Sequence, residues 1–291
     1  MKKILLFILV AVLLSCENQN STSLPKNYVP GLLKLKSDIM TPEVLWSLGR
    51  LSETAISPDG QQVAYTITYY NIEENRPYRD IYMMQLSNKT VVRITDTPQN
   101  EFNLQWRPDG HKLGFISNQS GSMQIWEMNP DGTGKVQISS IDEGISGFKY
   151  SPDRKKIFYF KSVKLDKDIH DIYPDMPKAN ARLESDLMYR HWDSWHDYTY
   201  NHIFIADYTN GKVADGIDIM SGERFDAPTK PYGGIEEIAW SPDGKSLAYT
   251  CKKLTGKEYA ISTNSDIYIY NLETRQTVNF TQGMMGYDRI P

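Results

Sequence analysis

The chain lacks the short motifs that announce most enzymes. No Gly-x-Ser-x-Gly elbow occurs in its 291 residues. The nearest run, Gly144-Ile-Ser146-Gly147-Phe148, has the wrong spacing and leads into a strand pattern. No glycine-rich phosphate loop follows a strand, and neither Cys-x-x-Cys nor His-Glu-x-x-His is present. The motifs therefore point to no catalytic residue, no metal and no cofactor. Cysteine is nearly absent: Cys16 and Cys251 are the only two, and if Cys16 carries lipid, Cys251 has no partner and no disulfide framework is possible. Lys and Arg total 32 against 36 Asp and Glu, which gives no basic excess for a nucleic-acid partner. The apolar run from Ile4 to Leu14 is too short to span a bilayer as a helix.

That run has another use. Lys2 and Lys3 precede it, and Leu13-Leu14-Ser15-Cys16 closes it. Residues 1–15 read as a signal peptide. The closing four resemble a bacterial lipobox, in which Cys16 becomes the lipidated first residue. An ordinary signal peptide with an incidental Cys would export the chain equally well. The expectation is an exported bacterial protein, periplasmic or membrane-anchored, that touches the membrane only through its lipid. Residues 16–39 are mostly polar and read as a flexible tether.

What is abundant is β chemistry and repetition. Tyr numbers 19, and Tyr, Trp and β-branched residues suit half-buried strands. Four segments align without gaps: Ile56-Ser-Pro-Asp-Gly60, Trp106-Arg-Pro-Asp-Gly110, Tyr150-Ser-Pro-Asp-Arg154 and Trp240-Ser-Pro-Asp-Gly244. Each has apolar residues five and seven positions after its Pro, a spacing of two that puts both on one strand face. Pro presets φ at the first corner of a turn, Asp bonds nearby N–H groups, and Gly takes the left-handed conformation. Arg154 stands in that last position at a modest steric cost. Further strand patterns follow each copy, such as Ile81-Tyr-Met-Met, Ile125-Trp-Glu-Met, Ile203-Phe-Ile-Ala and Ile267-Tyr-Ile-Tyr. Four strands per unit predict an all-β fold, a β-propeller of four-stranded blades over residues 40–291. About five blades are expected, counting partial ones. Such a ring is expected to be incomplete, because residues 282–291 lie where another repeat is due.

Ahead of the first repeat, Thr41-Pro-Glu-Val-Leu-Trp46 predicts a short capped helix that packs as a strut. One blade breaks the spacing. From the repeat Pro to the next strand's Ile is 23, 17 and 25 residues in three copies, but 51 from Pro152 to Ile203. An insertion is therefore placed at about residues 161–198, in a middle blade. It ends in Tyr189-Arg-His-Trp-Asp-Ser-Trp-His-Asp-Tyr-Thr-Tyr-Asn-His202. Arg190, His191, Trp192, Asp193 and Trp195 are the candidate substrate-binding residues, because aromatic rings bring area and few rotamers while Arg and Asp add directed hydrogen bonds. Two other readings stay open. Trp192 and Trp195 could simply anchor the segment, and His191, His196, Asp197 and His202 could meet a metal, although their spacing matches no established site.

The Thr-Pro-Glu-Val-Leu-Trp start, the Leu48-Gly-Arg-Leu-Ser-Glu-Thr-Ala-Ile-Ser-Pro-Asp-Gly60 run and Arg190-His-Trp-Asp-Ser-Trp195 together resemble the N-terminal propeller of prolyl-oligopeptidase-family serine peptidases. The branch is that of dipeptidyl-peptidase five and the acylaminoacyl-peptidases. The resemblance covers about residues 40–291. It implies short peptides as substrates, a propeller that gates access, and a C-terminal α/β-hydrolase domain that holds the Ser, Asp and His. That domain is absent from these residues and would be the propeller's partner. No catalytic residue carries over, and the chain alone is expected to be inactive. The alternative is a stand-alone TolB-like propeller lipoprotein that serves as a binding module.

Overall fold

The computed structural model describes residue 35 and residues 37–291. The expected signal peptide, residues 1–15, and Cys16 lie outside the described residues. So does most of the tether.

Four antiparallel blades follow one another along the chain, three of four strands and one of five. Blade 1 holds β1 (Arg50–Ile56), β2 (Gln62–Asn71), β3 (Arg76–Gln85) and β4 (Val91–Arg93). Blade 2 holds β5 (Phe102–Trp106), β6 (Leu113–Ser117), β7 (Gln124–Met128) and β8 (Val136–Gln137). Blade 3 begins with β9 (Gly147–Tyr150) and β10 (Lys156–Lys164). A small hairpin, β11 (Arg190–His191) and β12 (Ser194–Trp195), precedes its third strand, β13 (Thr199–Thr209). Two short strands, β14 (Lys212–Val213) and β15 (Ile217–Asp218), share the outer edge of β13. Blade 4 holds β16 (Ile238–Trp240), β17 (Ser246–Cys251), β18 (Asp266–Asn271) and β19 (Gln276–Asn279). Three short α-helices, α1 (Pro42–Ser47), α2 (Ile169–Ile172) and α3 (Gly256–Ile261), and a 3-10 turn at Ile235–Glu237 complete the list. None is long and apolar enough to cross a membrane among the described residues.

The all-β propeller architecture stands, with two adjustments. The described residues form four blades rather than about five. After Thr281 the chain does not start a strand; it makes a single bridge, from Tyr287 to Ser265. The insertion begins at 165 rather than 161, because β10 continues to Lys164 and pairs it with Thr199.

The repeat turns fold as their chemistry requires. In the first, Gly60 has φ 69° and its N–H donates to the Ser57 carbonyl. The Ser57 hydroxyl donates to Asp59 Oδ1 at 2.6 Å and accepts from the Gln62 N–H. Ser151 and Ser241 repeat the Ser–Asp bond. Arg154 takes the Gly position with φ 63°. Arg107 replaces the Ser in the second copy, and its Nε donates to Asp109 at 2.9 Å instead.

Three apolar clusters fill the three gaps between neighbouring blades. Ala64, Ile81 and Met83 of blade 1 meet Leu113, Phe115 and Met128 of blade 2. Ile116 and Ile125 meet Phe148, Ile157 and Tyr159 across the next gap. Phe158, Phe160 and Ile203 meet Leu247, Tyr249 and Cys251 across the third. Each such side chain contributes roughly 1.5–3 kcal/mol by leaving water. Burial among these groups pushes the Cys251 thiol well above its usual range, so it behaves as a small apolar filler. The large residue two before each repeat Pro reaches back to the preceding blade. Trp106 donates to the Ala55 carbonyl, Tyr150 to Glu127, and Trp240 to the Lys149 carbonyl. Ile56 holds the equivalent place in blade 1, has no blade behind it, and is 65% exposed. The described blades therefore form an open arc.

α1 is capped as its sequence dictates: Thr41 Oγ1 accepts from the Val44 N–H. Its Trp46 packs edge-on against Tyr70 of β2, with Arg50 stacked over both rings. It is a strut on blade 1.

Candidate functional site

Antiparallel pairing fixes which connections share an end of the arc. The repeat turns lie at one end. The connections between second and third strands lie at the other, so the 165–198 insertion and α3 face the same side. A third segment joins them there, the stretch Arg224–Pro231 that follows β15. The three enclose a cavity of about 640 Å³. That volume suits a small ligand.

The aromatic candidate residues form the β11–β12 hairpin. Arg190 pairs with Trp195 and His191 with Ser194, while Trp192 and Asp193 make the turn, Trp192 at φ 52°. The Arg190 guanidinium lies 5.2 Å from the Trp195 ring centre and that of Arg182 lies 5.4 Å from it. Tyr189 stacks on the same ring. Trp195 is therefore the anchor of the hairpin. Trp192 is 71% exposed and leans on His191 and Tyr232. His191 and Trp195 line the cavity. Arg190, Trp192 and Trp195 line a shallower groove beside it, with Leu187 and Tyr189. Asp193 lines neither and accepts only from Ser194.

The four possible metal ligands are not assembled. His202 is buried in β13, with Nδ1 at 2.8 Å from Asp218 and Nε2 at 2.8 Å from the Glu223 carbonyl. Burial disfavours its charged form, but the hydrogen bond and charge of Asp218 outweigh that and hold its pKa above 6.5. His196 turns instead toward Tyr200. No group of three or more His, Cys, Asp or Glu is arranged to hold a metal among the described residues.

The polar groups that build the cavity floor come mostly from outside the hairpin. Asp166 accepts from Tyr200 Oη at 2.6 Å and Arg224 Nε at 2.7 Å. Burial alone would raise its pKa; those two donors hold it below the usual carboxylate range. Lys230 donates to the Thr199 carbonyl, Thr199 Oγ1 and Asp197. Asp226 is nearly enclosed, with its side chain 12% exposed. Burial pushes its carboxyl up, against the opposing pull of Lys230 and the Asn201 N–H. Tyr259 of α3 closes the far wall, its phenol pushed up to about 12 by burial. Sequence reasoning missed Arg224, Phe225, Asp226, Lys230 and Tyr259. No local motif marks them; only their position in connections at the insertion end ties them to it.

Comparison with known proteins agrees with this architecture. The TolB beta propeller domain family matches residues 43–220. Dipeptidyl-peptidase 5 of Porphyromonas gingivalis is 47% identical over 252 residues, which is 87% of this chain and 37% of that protein. Dipeptidyl-peptidase 5 of Porphyromonas endodontalis is 39% identical over 88% of this chain and 37% of its own length. The chain thus spans little more than a third of these relatives. Among solved structures, an acylaminoacyl peptidase in complex with Z-Gly-Gly-Phe-chloromethyl ketone shares the fold with a TM-score of 0.59. It is 13% identical, with 84% of this chain and 34% of that one covered. Pyrococcus horikoshii acylaminoacyl peptidase gives 0.56 at 14% identity over 81% and 33%. These relatives do not favour a stand-alone TolB-like module. The chain belongs to the TolB beta propeller domain family and is similar, over most of its length, to part of the dipeptidyl-peptidase 5 proteins of Porphyromonas.

Proposed function

We propose that this chain is the substrate-gating propeller of an exported serine exopeptidase that releases dipeptides from short peptides. The observation that carries the reading is the 47% identity to a dipeptidyl-peptidase 5 over 252 residues, insertion included. The chemistry would be acyl transfer by a His-activated serine in an α/β-hydrolase domain, which docks on the propeller. The propeller contributes access and binding. Its cavity of about 640 Å³ admits a few residues of extended peptide and no folded domain. Export follows from the basic start, the apolar run and Cys16, whose lipid would hold the enzyme at the cell envelope.

The test is to read the coding sequence past Pro291 and to assay the present chain. The proposal expects a Gly-x-Ser-x-Gly downstream, and no turnover of dipeptidyl or acylaminoacyl substrates by the 291 residues alone. A stop codon directly after Pro291 in an intact genome would sink the peptidase reading. So would turnover by this chain that a serine-directed inhibitor abolishes.

A further inference from the structure

Arg190 carries a charge that no carboxylate beside it answers. Three other cations at this end of the arc are paired: Arg182 with Glu184, Arg224 with Asp166 and Lys230 with Asp197. The Arg190 guanidinium makes no ion pair and no hydrogen bond among the described residues. It lies over the Trp195 ring, 5.2 Å from its centre. A ring face draws on the charge but has no lone pair in the plane of the guanidinium, so the N–H donors of Arg190 stay open.

Arg190 borders the shallower groove outside the cavity, a space of about 570 Å³. The rest of the lining is Leu187, Met188, Tyr189, Trp192 and Trp195, so the groove holds one cation, no anion and otherwise apolar walls. Trp192 is 71% exposed, yet its ring rests on His191 and Tyr232. Both sides of the groove are thus in place before anything binds, which lowers the ordering cost of binding. Charge complementarity selects an anion that carries an apolar group. A phosphate would bring a second charge, for which the groove has no second cation. A carboxylate brings one charge and two oxygens that fit the guanidinium fork.

We propose that this groove binds a carboxylate through Arg190, with an apolar side chain from the neighbouring carbon between Tyr189 and Trp192. The bearer that puts both on one carbon is the last residue of a peptide. Trp195 lines the deeper cavity as well as the groove, so a short peptide lying across that ring would end at Arg190. This last step rests on the peptidase reading above; the carboxylate site itself does not.

Calorimetric titration of the full chain tests it with three probes: acetyl-Ala-Leu, acetyl-Ala-Leu-amide and acetyl-Ala-Glu-amide. A charge-assisted pair predicts that acetyl-Ala-Leu binds roughly fivefold tighter than its amide, or more, at low salt. The ratio should shrink at high salt. Arg190→Gln should bring it to about one, while Arg190→Lys should keep part of it, because the charge stays and the fork is lost. Trp192→Ala should weaken acid and amide alike and keep their ratio, which separates the guanidinium's role from general damage to the hairpin. Preference for acetyl-Ala-Glu-amide over acetyl-Ala-Leu would overturn the C-terminal assignment. Equal binding of acid and amide, or a ratio that survives Arg190→Gln, would overturn the site. The two readings fail separately. Dipeptide release by the longer polypeptide with the same KM for acid and amide peptides keeps the peptidase and removes the site. Arg190-dependent carboxylate binding without any peptidase does the reverse.

Discussion

The indole Nε1 of Trp106 donates to the carbonyl of Ala55 at 3.0 Å, across the gap between blades 1 and 2. Trp240 makes the same reach to Lys149 across the last gap, at 3.4 Å. A repeat residue thus does two things: it fills the interface and it satisfies a carbonyl of the blade before. Trp106→Phe keeps most of the ring and removes the donor. It should cost about 1–2 kcal/mol in urea unfolding. Ile56 has no blade to reach, so Ile56→Thr should change stability by less than about 0.5 kcal/mol. Equal losses at the two positions would contradict the open arc.

The buried Glu127 ties blade 2 to blade 3. Its Oε1 accepts from Tyr150 at 2.8 Å and Tyr208 at 2.6 Å, and Arg107 lies 3.5 Å from Oε2. Burial, then the Glu127 bond, pushes the Tyr208 phenol up to about 12. Tyr150→Phe and Tyr208→Phe should each cost about 1 kcal/mol, and the double variant more than their sum, since each donor cushions the loss of the other at one shared oxygen. Glu127→Ala takes the acceptor from two tyrosine hydroxyls, while Arg107 keeps Asp109, and should cost about 2–3 kcal/mol. Strict additivity of the two tyrosine changes would speak against a shared acceptor.

Much of this was legible in the sequence, for a local reason. Pro, Asp and Gly in a row dictate their turn whatever surrounds them, so the blades could be counted almost correctly. The Ser57–Asp59 bond, repeated at Ser151 and Ser241, is equally local. The Arg190–Trp195 hairpin was legible as an aromatic cluster, but not as a self-packed one in which Trp195 is spent on Arg182 and Arg190. The cavity was not legible at all. Asp166, Asp226 and Tyr259 are brought together by three connections from different strands, and no spacing along the chain records that meeting.

Glu101 is fully buried near Asp80. Burial first, then the charge of Asp80, raises its pKa to about 7, against the Thr97 and Thr95 hydroxyl bonds and Lys135. The folded chain therefore holds a proton that the unfolded chain, with a pKa near 4.5, gives up. Stability from this group is full below about pH 4.5 and is lost as pH rises through about 7, on the order of 3 kcal/mol in all. Melting temperature should fall across that window, and Glu101→Gln should flatten the fall. A slope that Glu101→Gln leaves unchanged would remove Glu101 as its source.

His202 works in the same direction. Its folded pKa lies above 6.5, so its contribution is present below that value and is lost as pH rises through the folded pKa. NMR titration of the ring should show that raised value, and Asp218→Asn should lower it, leaving only the Glu223 carbonyl bond and the charge of Asp226 against burial. An unchanged midpoint in Asp218→Asn would contradict the pairing.

In the proposed function these residues are the propeller of a dipeptide-releasing serine peptidase. Its most direct test is an assay of the polypeptide read through beyond Pro291, offered a free peptide with an apolar N-terminal residue and analysed by mass spectrometry. The account predicts stepwise loss of dipeptides from the N-terminus, abolished when the downstream Gly-x-Ser-x-Gly serine becomes alanine. A read-through product that leaves such peptides intact, or that trims single residues, would contradict it.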